Sequence, residues 1–391
     1  IPRGNYYDWE LILSFPYFNR RNRLVTGLYS DDMLTRCNPY GQMARRSIGK
    51  VGQTKDDRTR RGKSGLERAL DSLLRGKPGL APHVAIVQQG AAANMTRPAE
   101  RGYDITTTID IKMQDIVEHE LNKMLEHTQA DWGYTVLMDV ATGDIKAISN
   151  LELNAKTGKY IEGMNRAVLR YEPGSVVKVL SMLLALENGL ISDLNEQIPT
   201  GAIWSYHQRN GGIKDSHVSA SKDIRQIIVE SSNIGMAKII TRAWENDPGK
   251  YYSAVKRIGF LDPFNVGIAG ECTPRIDSIA SNNSAGKLAL SRMAFGYSTM
   301  IPGLYTLALY NAIANDGRFV RPRLVKSISK AGRDSTFAVT YVRDSICSKR
   351  NAAILRDMLH GVVHTQGGTG YCMLRNSKVE LAGNPGTCNE R

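Results

Sequence analysis

One stretch constrains the fold more than any other: Tyr171-Glu172-Pro173-Gly174-Ser175-Val176-Val177-Lys178, running straight into Val179-Leu180-Ser181-Met182-Leu183-Leu184-Ala185-Leu186. An apolar run this continuous has no polar face to give to water, so it predicts a buried central helix. Pro173-Gly174 supplies a turn just before it, and Asn188-Gly189 ends it. Ser175 and Lys178 then stand at its mouth, at i and i+3 on one helix face, where hydroxyl and amine are expected to touch. A lysine among Val176, Val177, Val179 and Leu180 is poorly solvated, which lowers its pKa. A neutral amine beside a hydroxyl can take its proton and make it a nucleophile, which is the chemistry of serine acyl transfer. The plainer reading is a serine that only caps a helix. An apolar central helix is a poor place for an ordinary surface lysine, and this favours the reactive pair.

Further residues bear on the pair. Ser231-Ser232-Asn233 interrupts two segments with apolar residues at helical spacing, 224–230 and 234–244. By itself such a polar tripeptide reads as a loop or a cap. Near the end, Val379 and Leu381 alternate with polar neighbours, which predicts a half-buried strand leading into Asn384-Pro385-Gly386-Thr387. Upstream stand Thr107-Thr108-Ile109-Asp110-Ile111-Lys112-Met113-Gln114, then Val136 to Ile148 around Thr142-Gly143, and Gly65-Leu66-Glu67. Downstream come Phe295-Gly296-Tyr297, Pro302 and Asn311 to Gly317.

Taken together, these residues resemble the penicillin-recognising enzymes, whose motif set is S-x-x-K, S-x-N and K-T-G. The T-I-D-x-x-x-Q entry, the first hairpin and the G-L-E segment are similar to class B penicillin-binding proteins of the division and elongation type. The likeness runs from about residue 40 to the end. The third motif departs from the family: Asn384 stands for its Lys and Pro385 for its Thr, while Gly386 and Thr387 match.

The order of elements is a strand pair, a helical block to about residue 246, a loop-rich region to about 285, helices at 304–314 and 354–363, and a returning strand. This predicts an α+β fold, an antiparallel sheet covered by helices. Helix 110–126 opens it. The polar stretch 88–101 after Pro78-Gly79 marks a boundary between domains 1–100 and 101–391. By resemblance, the first is a pedestal-like domain and the second the transpeptidase domain with its helical subdomain. The family's N-terminal anchor and its strands after the third motif are not in this sequence, so it reads as a fragment cut at both ends.

Composition excludes several alternatives. No run approaches 18 apolar residues, so no spanning helix is expected. The net charge of +13 is uneven. Residues 1–100 hold 17 Lys+Arg against 9 Asp+Glu, with dense patches at Arg20-Arg21-Asn22-Arg23 and from Arg58 to Lys63. No nucleic-acid-binding motif accompanies them, so a solvated face or one near anionic lipid is expected instead of nucleic acid. The five cysteines Cys37, Cys272, Cys347, Cys372 and Cys388 form no C-x-x-C pair, so neither a zinc cluster nor a disulfide framework is read. His360 and His364, four apart, lack the glutamate of a zinc-protease helix and read as structural. Gly367-Gly368-Thr369-Gly370 lacks the Lys-Ser/Thr of a phosphate loop and reads as a tight turn before the last strand.

The resemblance implies a D,D-transpeptidase that cross-links peptidoglycan outside the cytoplasmic membrane. Its substrate is a stem peptide ending in D-Ala-D-Ala, and β-lactams acylate the same serine. Ser175 is then the nucleophile and Lys178 its general base. Ser231 relays the proton and Asn233 holds substrate and orients Lys178. The N–H groups of Ser175 and Thr387 form the oxyanion hole. Gly386 and Asn384 complete the substrate side. No metal or organic cofactor is implied. A membrane anchor, a cell-wall glycosyltransferase and division or elongation proteins are the implied partners. Two other readings remain open: a scaffold that has kept the fold and lost turnover, which Asn384-Pro385 favours, and a β-lactam sensor or β-lactamase, which the pedestal-like start disfavours.

Overall fold

The structure is a computed structural model that describes residues 11–12, 14–16, 37–54, 57–79, 99–207 and 212–387. Arg20 to Arg23, residues 88–98 and Cys388 lie outside the described residues. The chain divides into two compact units, residues 1–41 and 42–391. In the first, the Ser14 hydroxyl closes a turn on Leu11 O at 2.6 Å.

The second unit begins with a hairpin, β1 (Val51–Thr54) and β2 (Asp57–Gly62), followed by the short helix Gly65–Ala69. Leu66 of that helix belongs to the main core, Asn165 Nδ2 donates to Ser47 Oγ at 3.1 Å, and Arg46 N–H donates to Glu162 Oε1. Residues 42–79 therefore pack directly on the C-terminal part. The Glu162 carboxyl, buried there, is pushed up to about 7.

β3 (Asp104–Thr107) lies antiparallel on a strand from far along the chain, β10 (Val325–Lys330), which also pairs with β11 (Arg333–Thr336). The Thr-Ile-Asp-x-x-x-Gln entry joins this sheet to the next. Buried Thr108 donates to Ile145 O at 2.8 Å. Asp110 accepts from the N–H groups of Lys112 and Met113 and caps helix α1 (Ile111–Thr128). Gln114, fully buried, gives and takes one bond with the Ile148 backbone, as a neighbouring strand would. The expected strand pair is present as β4 (Trp132–Met138) and β5 (Ile145–Asn154), with β6 (Lys159–Glu162) on the far side of β5. Asp139 accepts from both the N–H and the hydroxyl of Thr142 and fixes the turn between β4 and β5. Asp144 pairs with Lys146 and, across the sheets, with Arg323.

After β7 (Arg170–Tyr171) comes one 3₁₀ turn, Gly174–Val177, and then helix α2 (Lys178–Glu187). Every residue of α2 up to Leu186 is buried, as the unbroken apolar run required. Helices α3 (Ile224–Val229), α4 (Asn233–Trp244), α5 (Gly249–Arg257), α6 (Ser284–Met293), α7 (Gly303–Ala314) and α8 (Lys349–His364) follow, and residues from most of them share one core with α2.

Three sequence expectations are corrected. The stretch read as wholly helical to residue 246 contains an antiparallel hairpin, β8 (Ile198–Trp204) with β9 (Ile213–Lys222). Polar β9, with only Ile213 and Val218 as large apolar residues, carries no helical period. The region read as loop to 285 contains α5. No strand forms at 378–387, which is irregular. Val379 stays 67% exposed, and Gly383, Pro385 and Gly386 are weak strand formers. Scattered contacts hold this segment instead: Gly383 N–H donates to Leu359 O, and His364 Nε2 lies 3.1 Å from Leu381 O. His360, stacked on His364 with ring centroids 4.1 Å apart, faces Glu380. Gly367 to Gly370 does form turns, which lead into the short helix Tyr371–Leu374 and not into a strand.

Candidate active site

The Ser175 turn is built on two glycines. Gly174 has φ +60°, and Gly296, packed against it, has φ +95°. A β-carbon on Gly296 would lie 2.0 Å from Gly174 O, so only glycine permits this approach. The 3₁₀ form of the turn brings side chains at i and i+3 into eclipse, setting Ser175 and Lys178 on one side. The carbonyl of Ser175 accepts from Asn384 Nδ2 at 3.0 Å, and that of Val176 from Tyr310 Oη at 3.1 Å.

Lys178 has no solvent exposure. Its Nζ donates to Ser231 O at 2.6 Å and to Ser231 Oγ at 2.9 Å. Burial pushes its pKa down to about 7, against the opposing field of Asp215. Burial therefore favours the neutral amine, the form that can accept a proton. The direct Ser175–Lys178 hydrogen bond expected from spacing is not formed: among the described residues Ser175 Oγ has no hydrogen-bond partner, and the amine bonds to Ser231.

Ser231 joins helices α3 and α4 with φ +54°, a left-handed conformation that costs a non-glycine residue about 1–2 kcal/mol. Ser232, fully buried, caps α4 by accepting from Gly235 N–H at 2.9 Å. Asn233 Nδ2 donates to Lys214 O at 2.9 Å, so its amide is bound to β9 and not to Lys178.

Asp215 on β9 was missed by sequence reasoning. Its Oδ1 accepts the N–H groups of Asn233 at 2.6 Å and Ile234 at 2.9 Å, and its Oδ2 accepts the Ser232 hydroxyl. An acid at the start of a helix is favourable, but one Asp in a polar strand gives no local signal. Tyr310, on α7, was also missed, because a tyrosine on an apolar helix reads as core.

The third motif reaches the site without a strand. Gly386 lies against the Ser175 turn: a β-carbon there would be 2.9 Å from Val176 Cγ1 and 3.4 Å from Val176 N. Pro385, Gly386 and Thr387 lie at or near the surface. The structure thus brings Ser175, Lys178, Ser231, Asn384 and Gly386 together. Among the described residues no three His, Cys, Asp or Glu side chains are grouped to hold a metal, and no helix is long and apolar enough to cross a membrane.

Residues 133–389 match the family model described as the penicillin binding protein transpeptidase domain, and residues 14–107 match that of the penicillin-binding protein dimerisation domain. The probable peptidoglycan D,D-transpeptidase PenA of Neisseria meningitidis is 29% identical over 275 residues, 66% of this chain and 44% of that protein. The peptidoglycan D,D-transpeptidase FtsI of Buchnera aphidicola is 25% identical over 367 residues, 91% of this chain and 60% of that protein. The chain spans about half the length of the curated relatives it matches. Among solved structures, penicillin-binding protein 2B of Streptococcus pneumoniae superposes with a TM-score of 0.71 at 20% identity, over 88% of this chain and 64% of that one. Penicillin binding protein 3 of Mycobacterium tuberculosis, complexed with ampicillin, gives 0.69 at 23% identity, over 86% of this chain and 70% of that one.

Proposed function

This chain belongs to the penicillin-binding protein transpeptidase family, and we propose that it is a serine D,D-transpeptidase of peptidoglycan. The observation that carries the reading is the fully buried Lys178 amine, depressed to about 7 and bonded to Ser231, three residues after Ser175. The substrate is a stem peptide ending in D-Ala-D-Ala. Ser175 Oγ attacks the carbonyl between the two alanines as the neutral Lys178 amine takes its proton. Ser231, already in contact with that amine, passes a proton to the departing D-Ala nitrogen. The N–H groups of Ser175 and Thr387 stabilise the oxyanion, and losing one such donor costs about 100- to 1000-fold in rate. An amine of a second stem peptide then takes the acyl group. A β-lactam, whose ring amide stands in for the D-Ala-D-Ala bond, acylates the same oxygen.

Asn233 lines the substrate side, as do Asn384 and Gly386. The chain divides functionally into a pedestal, residues 1–100, and a catalytic part, 101–391. The enzyme works at the outer face of the cytoplasmic membrane, with a cell-wall glycosyltransferase and division or elongation proteins as partners.

Asn384-Pro385 favours a second reading, a scaffold of the wall-building machinery with impaired turnover. Asn384 brings no charge for a substrate carboxylate, and Pro385 has neither hydroxyl nor N–H. Intact-protein mass after incubation with penicillin separates the two. A penicilloyl adduct on the parent, absent from Ser175→Ala, is expected; an unmodified parent supports the scaffold.

A further inference from the structure

Ser231 is a strained residue with a demanding position: its carbonyl and its hydroxyl both meet Lys178 Nζ. Strand β9 reaches the residues on each side of it. On the C-terminal side Asp215 takes three hydrogens, from the hydroxyl of Ser232 and from the N–H groups of Asn233 and Ile234. On the N-terminal side Lys222 pairs with Glu230. Lys222 is 1% exposed, and its amine has Glu230 as its hydrogen-bond partner. A buried lysine is tolerated only where it is well paired. Strand β9 is seated in the core by Ile213 and is further anchored by two charges, Asp215 and Lys222. Both end on neighbours of the left-handed serine in the site.

We propose that Asp215 and Lys222 are positioning residues of the acyl-transfer centre, a two-point clamp from strand β9 that holds Ser231 against Lys178. The clamp rests on the acyl-transfer reading above and adds what keeps its proton relay in register. Asp215 has a second effect: among the described residues it is the charged group whose field acts on the Lys178 amine, tending to raise its pKa. Lys222 acts through Glu230 alone. The two halves of the clamp therefore differ in one readout, the pH midpoint of acylation.

The test is the second-order rate of acylation by a fluorescent penicillin, followed from pH 5.5 to 9, with circular-dichroism melting of each protein. Asp215→Ala and Lys222→Met are expected to slow acylation about 100-fold, the size of effect that a misplacement near 1 Å produces. Asp215→Asn keeps an oxygen for the two N–H groups but loses the acceptor of the Ser232 hydroxyl, so it retains more of the plateau rate than Asp215→Ala while its pH midpoint moves to lower pH. Lys222→Arg restores the ion pair and recovers most of the rate without moving the midpoint. A parent that is never labelled overturns the acyl-transfer reading itself, and the clamp with it. A labelled parent with Asp215→Ala and Lys222→Met at parental rates overturns the clamp alone. Should either of these variants melt below the assay temperature, Asp215→Asn and Lys222→Arg decide: an unmoved midpoint in the first, or no recovery in the second, overturns it.

Discussion

Replacing Lys178 by Met should make the protein more stable while abolishing its chemistry, and the gain should fade as pH rises. The buried amine has its pKa pushed from 10.5 down to about 7, because burial disfavours the charged form. An unfolded chain holds that proton until about pH 10.4. Between these values the unfolded state binds more protons, so parental stability climbs with pH across that window and the penalty is fully present below it. Each pH unit of separation between the two midpoints is worth about 1.36 kcal/mol, which makes the penalty about 4 kcal/mol at pH 7. Methionine avoids it and fills similar space. It forfeits the bonds to Ser231 O and Oγ, each worth about 1 kcal/mol net. The variant is thus expected to exceed the parent by about 2 kcal/mol at pH 7.

Raising the pH to 9 removes about 2 kcal/mol of the penalty, so the two proteins should become nearly equal. Urea unfolding of both, followed by tryptophan fluorescence at pH 7, 8 and 9, reads this directly. Subtracting one curve from the other cancels titrations common to both. A difference that stays flat with pH would refute the reasoning, since Lys178 would then titrate alike in the folded and unfolded chains.

Penicillin acylation should rise with pH through about 7, as Lys178 loses its proton, and fall away below it; a rate independent of pH between 6 and 8 would remove Lys178 from the base role. Asn384→Lys with Pro385→Thr restores two charge-assisted contacts, each worth roughly 1.5–3 kcal/mol, so acylation should quicken by at least about tenfold even though the bond to Ser175 O is lost. Equal labelling of parent and double variant would show that this segment does not recognise the carboxylate. Gly296→Ala forces a β-carbon to within 2.0 Å of Gly174 O at φ +95° and should lower the melting temperature and slow acylation together. A variant with parental melting and rate would show that this contact does not set the Ser175 turn.

The sequence disclosed what depends on local pattern. Helix α2 could be read because an unbroken apolar run has one fate in a globular chain, and α1 because Asp110 supplies its cap and a helical period follows. Ser231 was legible as a break between two periodic segments. Strand β9 was not, because a polar hairpin strand has no period of its own and announces itself only through its partner β8. The third-motif strand was wrongly expected for the opposite reason. Val379 and Leu381 alternate as a strand would, but a strand exists only where another backbone takes its hydrogen bonds, and here His364 and Leu359 meet the segment instead.

The expected hydrogen bond between Ser175 and Lys178 is not formed for a related reason. Spacing fixes which side chains share a face; it does not fix which of several acceptors a buried amine will choose. Lys178 has taken Ser231, whose hydroxyl and carbonyl together satisfy an amine that has no water. Three unfavourable features meet at that choice: the depressed lysine, the left-handed serine it bonds to, and the buried Lys222 paired with the residue just before that serine. Strain and buried charge persist only where the surroundings over-determine them. The apolar body of α2 and the bonds of Asp215 and Lys222 on β9 surround them here, and the Ser175 hydroxyl has no hydrogen-bond partner among the described residues, as the proposed nucleophile requires.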